Sequence, residues 1–117
     1  MNPCRASLFA LCMVLTSNAS GADRNRIWEQ GRALVQDNCA RCHAIDVQDD
    51  SPLKSAPPMR DVYERFAPEE LKAELAAGIV SKHRDMPQVE FSPEQVDAVL
   101  QYLHRLALTK QPRAPAR

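Results

Sequence analysis

The residues best suited to chemistry are Cys39-Ala40-Arg41-Cys42-His43, a pair of cysteines at C-x-x-C spacing with a histidine directly after the second. On a helical turn, positions i and i+3 lie on one face, so both sulfurs can reach the two vinyl groups of a single porphyrin. His43, at i+4 from Cys39, stays on that side and can offer its imidazole to the metal as the proximal ligand. This is the pattern of covalent haem attachment. Three rival chemistries use the same residues. A Cys39–Cys42 disulfide suits an oxidising compartment. A dithiol redox pair wants a βαβ context that the sequence does not offer. A zinc site needs more ligands than remain in the chain after an N-terminal leader is removed.

What occupies the other side of the iron decides the function. The candidates are Met86, Met59, His83 and His104, or an open position. Pro87 biases Met86 away from the α region, which puts its thioether on extended backbone in a loop. Met59 begins a helix, His83 shares the Met86 loop, and His104 sits off the main apolar stripe of the last helix.

The elements that must hold these groups are helical. The segment 23–39 predicts a first helix capped by Asp23 or Asn25, with Ile27, Gly31, Leu34 and Val35 on one face. Gly31 in mid-helix costs about 1 kcal/mol relative to Ala, a cost that close approach of another helix would offset. The segment 44–58 is polar and proline-bearing and reads as an irregular loop. A short helix over 59–66 follows, then another beginning at Ala67-Pro68-Glu69-Glu70, with Leu71, Leu75 and Ala76 inward and Gly78 as its stop. A second loop covers 81–91. Ser92-Pro93-Glu94-Gln95 has the residues of a capping box with proline at the first helical position. Val96, Val99, Leu100, Leu103 and Leu106 then form an apolar stripe. No alternating strand pattern and no internal repeat are present. The expectation is an all-α domain of three to five helices.

Residues 1–22 read as a secretory leader: Arg5 in the n-region, an uncharged apolar run from Ser7 to Leu15, and Ser20-Gly21-Ala22 as a small-x-small cleavage pattern. The run is too short to span a bilayer, which takes about 20 apolar residues. Cleavage would remove Cys4 and Cys12 and leave Cys39 and Cys42. The expected organisation is a leader over 1–22, one domain over 23–108 and a flexible tail over 109–117, exported to the periplasm without stable membrane insertion. In 117 residues there is room for one core. The 15 Lys+Arg against 15 Asp+Glu exclude a nucleic-acid binder that works by bulk positive charge. A chain this small with few aromatics is marginal without a staple or a large cofactor.

Taken together, Gly31, Cys39-x-x-Cys42-His43, Ala56-Pro57-Pro58, Met86-Pro87 and Tyr102-Leu103 resemble a small bacterial class I monohaem cytochrome c over residues 27–106. The resemblance implies an all-α fold around one haem c, attached through Cys39 and Cys42, with His43 proximal and Met86 distal. It implies that Gly31 marks the crossing of the first and last helices against Tyr102. It places the Pro57 carbonyl near the His43 imidazole N–H, fixing its orientation. Arg60 and, secondarily, Lys54 are the candidates for hydrogen bonds to the haem propionates. Ala44 departs from the glycine many members carry there, and the 44–56 loop has no glycine.

The function these readings imply is single-electron transfer between redox proteins, with no catalytic acid, base or nucleophile. Met/His ligation raises the potential of the iron. Lys82, His83 and Arg84 precede Met86 and would steer an acidic partner in a weak, salt-sensitive encounter. A haem subunit of a periplasmic dehydrogenase or oxidase complex is the first alternative. A haem sensor or weak peroxidase with an open sixth position is the second. The protein would be a monomer or a subunit of a redox complex.

Overall fold

A computed structural model of the chain describes residues 19–78 and 85–110. The n-region and apolar run of the expected leader, the Lys82-His83-Arg84 cluster and residues 111–117 of the expected tail lie outside the described residues. Among the described residues, four helices account for the regular structure: α1 (Ala19–Cys39), α2 (Met59–Arg65), α3 (Pro68–Ala76) and α4 (Pro93–Thr109). No strand occurs among the described residues. Among them, no helix is long and apolar enough to cross a membrane.

The centre of the fold is α4, which packs against each of the other three helices and most extensively against α1. Its start is set locally. The Ser92 hydroxyl accepts from the Gln95 N–H at 3.3 Å, the Gln95 side chain accepts from the Ser92 N–H at 2.9 Å, and Pro93 takes a position that needs no donor. Val96, Ala98, Val99, Tyr102, Leu103 and Leu106 are buried on its inner face. Leu100 is only half-buried, so the inner face is rotated slightly from the stripe expected, toward Ala98 and Tyr102. Each fully buried aliphatic side chain contributes roughly 1.5–3 kcal/mol. Val35 from α1, Ile45 from the following loop, Met59 from α2, and Leu71 and Leu75 from α3 complete the core.

The α1/α4 crossing depends on Gly31. A Cβ there would run into the Ala98 carbonyl oxygen, and would lie 2.8 Å from the Ala98 carbonyl carbon and 2.9 Å from Tyr102 Cβ. Next to the crossing, the Trp28 and Tyr102 rings meet at 5.6 Å, and the Arg105 guanidinium lies 4.8 Å from the Trp28 ring centre. Gly78, at φ 84°, ends α3 in the left-handed region that side chains disfavour.

Several local expectations are corrected. Helix α1 is already formed at Ala19, so Asp23 and Asn25 lie inside it in the full chain; Asp23 pairs with Arg26 at 2.8 Å. Ile27 and Leu34 are half-buried rather than central, and Ala76 is exposed. Helix α4 continues through Thr109, whose hydroxyl donates to the carbonyls of Arg105 (3.1 Å) and Leu106 (3.0 Å). Lys110 is then tied to Asp61 (3.0 Å) and Glu64 (2.7 Å) of α2, so residues 109 and 110, placed in the tail by sequence, are joined to the domain.

Candidate functional site

Helix α1 ends at Cys39, and the chain keeps turning. The N–H groups of Cys42 (3.2 Å) and His43 (3.0 Å) both donate to the Cys39 carbonyl. This turn brings Cys39, Cys42 and His43 to one cavity of about 420 Å³. Asn38, Arg41, Leu53, Ser55 and Ala56 also line it, and Asp85, Met86 and Pro87 arrive from the second loop. Both cysteines are free and half-buried. Burial pushes the Cys39 thiol up to about 11, which keeps it a neutral S–H at ordinary pH.

His43 is 7% exposed, and its Nδ1 is 2.6 Å from the Pro57 carbonyl oxygen. A carbonyl can only accept, so this hydrogen bond requires the proton on Nδ1. In the neutral ring Nε2 then carries the lone pair, the state an imidazole needs to bind a metal. Pro57 and Pro58 have no N–H with which to anchor themselves. The strap that carries the carbonyl is held from its two ends instead. Upstream, the Ala56 N–H donates to the Leu53 carbonyl at 2.9 Å, and the Leu53 N–H donates to the Cys42 carbonyl at 3.1 Å. Downstream, the Met59 N–H donates to the Ala44 carbonyl at 2.8 Å.

The loop after His43 is irregular but densely bonded. The Ser51 hydroxyl, buried, accepts from the Ala44 N–H at 3.0 Å. The Asp49 carboxylate accepts from the N–H groups of Ile45 (3.3 Å) and Asp46 (3.1 Å). The Tyr102 hydroxyl donates to the Ile45 carbonyl at 2.7 Å, joining this loop to α4. Burial, with the nearby Asp46 charge adding to it, pushes the Tyr102 phenol up to about 12.

The candidates for the second axial position separate by location. Met86, half-buried, lines the same cavity as His43. Met59 is 5% exposed in the hydrophobic core and does not line the cavity. His104 is exposed on α4 and stacks on Tyr63, ring centres 5.1 Å apart. His83 is outside the described residues.

Arg60, the expected propionate contact, has protein partners of its own. Arg60 is buried, does not line the cavity, and donates through one guanidinium nitrogen to the carbonyls of Asp46 (3.0 Å) and Asp49 (2.9 Å). The guanidinium is the buried partner here, and these loop carbonyls satisfy it. Lys54 is exposed, between Leu53 and Ser55 of the cavity wall. Sequence reasoning missed Ser51 and Asp49 as loop organisers. Their sign was available, since short polar side chains in a turn satisfy neighbouring N–H groups.

The donor set suits a haem better than the rival chemistries. The thiols and the oriented imidazole share one cavity with a thioether. Among the described residues no group of three or more His, Cys, Asp or Glu side chains is arranged to hold a metal ion, so they offer no ligand set for zinc. The strand context of a dithiol oxidoreductase does not occur among them either. The family model described as Cytochrome c matches residues 28–107, a span that includes every residue of the cavity wall. Neither the curated proteins nor the solved structures give a match.

Proposed function

Since the chain belongs to the cytochrome c family of haem-binding electron carriers, we propose that it is an exported carrier of single electrons built on one haem c with His43 and Met86 as axial ligands. The observation that carries this is the cavity that gathers Cys39, Cys42, His43 and Met86 around an imidazole already oriented by Pro57. Bound there, haem would supply an iron centre that cycles between Fe(III) and Fe(II).

The protein's own groups do the rest. Cys39 and Cys42 would hold the haem covalently through their sulfurs. His43 offers Nε2 because Pro57 retains the proton on Nδ1. Met86 offers a soft thioether, which favours the reduced state and raises the potential. Two protein ligands leave no place for a substrate, as a carrier requires. The leader pattern over 1–22 supports export to the periplasm. Lys82, His83 and Arg84 support docking to an acidic redox partner through a small interface.

The test is the visible spectrum of the purified exported protein, oxidised and reduced, before and after acid-acetone extraction. Haem that stays with the chain, together with a weak far-red band in the oxidised form that Met86→Ala removes, is the expected result. Covalent haem without that band, and rapid CO binding when reduced, would overturn Met86 as ligand and favour a sensor or peroxidase. A chain that carries no haem after expression with a working maturation system overturns the whole proposal.

A further inference from the structure

We propose that Arg60 is a positioning residue for His43: by clamping the 44–51 loop to the start of α2, it holds the Pro57 carbonyl on Nδ1 of the imidazole. This rests on the haem-carrier reading above for its purpose, but not for its geometry. The carbonyl that orients His43 belongs to a Pro-Pro strap without N–H donors, so its direction is set by what lies on either side. Downstream, two contacts tie the strap to the loop that follows His43. One is the Met59 N–H on the Ala44 carbonyl (2.8 Å). The other is Arg60, whose Nη1 reaches the carbonyls of Asp46 and Asp49 and lies 3.5 Å from the Asp49 carboxylate. The Arg60 side chain is only 10% exposed, so water cannot replace those bonds freely. Asp49 in turn holds the N–H groups of Ile45 and Asp46. His43, its loop and its carbonyl partner therefore form one closed unit, with a buried charge-assisted donor as the tie.

A direct propionate partner and a positioning residue make different predictions. The experiment compares wild type with Arg60→Lys, Arg60→Met and Leu75→Ala, the last a core truncation on α3 that removes none of the hydrogen bonds of the loop. Covalent haem per chain is measured first by intact mass. Exchange of the His43 Nδ1 proton is then followed by NMR in the folded, haem-bearing protein. Arg60→Met is expected to speed that exchange by about tenfold or more, the scale of a lost charge-assisted hydrogen bond. Arg60→Lys, which keeps a charged donor on a shorter arm, should restore much of the protection. Leu75→Ala should leave the exchange close to wild type although the protein is less stable. If Arg60→Met does not fold, Arg60→Lys alone decides, since it should still exchange measurably faster than wild type. Exchange unchanged in the Arg60 variants, or accelerated as much by Leu75→Ala, overturns the proposal. A wild-type chain without covalent haem would instead defeat the carrier reading.

Discussion

Residues 43–60 and residues 85–91 both build walls of the same cavity, yet they are held in different ways. In the first region His43 is buried, its Nδ1 is bonded to Pro57, and backbone carbonyls and N–H groups are taken up by Ser51, Asp49, Arg60 and Tyr102. In the second, Met86 is half-buried between the exposed Asp85 and Pro87, and the strap returns to the core at Phe91 before the capping box of α4. His43 is thus oriented by the polypeptide itself. Met86, the distal ligand in the function proposed above, stands on a strap stiffened by proline, and binding to iron would be what draws that strap in. A carrier would gain from this division, because one ligand would be preorganised and the other would adjust the potential.

The largest effect should come from removing the anchor of the rigid side. Cys39→Ala with Cys42→Ala should abolish covalent haem entirely, read as loss of the haem mass increment in the intact protein. Next, Met86→Ala should leave the haem attached while lowering the midpoint potential by a sizeable part of the roughly 0.8 V that axial ligands span across haem proteins. A potential unchanged from wild type would end the contrast between the two regions. Gly31→Ala tests the frame that carries the rigid side. The gain of about 1 kcal/mol in helix propensity should be outweighed by overpacking against Ala98 and Tyr102, for a net loss of up to about 2 kcal/mol in denaturant unfolding.

Tyr102→Phe should cost about 1–3 kcal/mol by leaving the buried Ile45 carbonyl without its donor. It also carries a pH signature. The phenol is pushed from its ordinary 10.0 up to about 12, so above pH 10 the unfolded chain releases a proton that the folded one retains. That contribution is complete below pH 10 and is lost as pH rises toward 12. Urea titrations across that window should show a smaller decline in the phenylalanine variant. Smallest of all, Ser92→Ala should remove the α4 cap for about 1 kcal/mol and leave the haem spectrum unchanged.

Some of this was legible from residue order because its cause is local. The capping box at Ser92, the proline start of α3, the stop at Gly78 and the turn after Cys39 each depend on groups within a few positions of one another. The start of α1 was misplaced because Asp23 is as able to pair with Arg26 inside a helix as to cap one. The 44–58 loop was read as merely irregular. Its order comes from side-chain bonds to backbone, which leave no periodic trace.

By itself, then, the sequence determined an all-α chain, the two thiols, the histidine beside them and a methionine before proline as the groups available for chemistry. The tertiary structure decided which of them meet. It sent Met59 to the core and Met86 to the cavity, and it gave Arg60 to the loop carbonyls. Arg60 and Asp46, like His43 and Pro57, are 14 residues apart. A guanidinium or a carbonyl has no local preference among partners at such separations. Its choice is made when the packed helices bring a buried donor within reach of acceptors that can satisfy it.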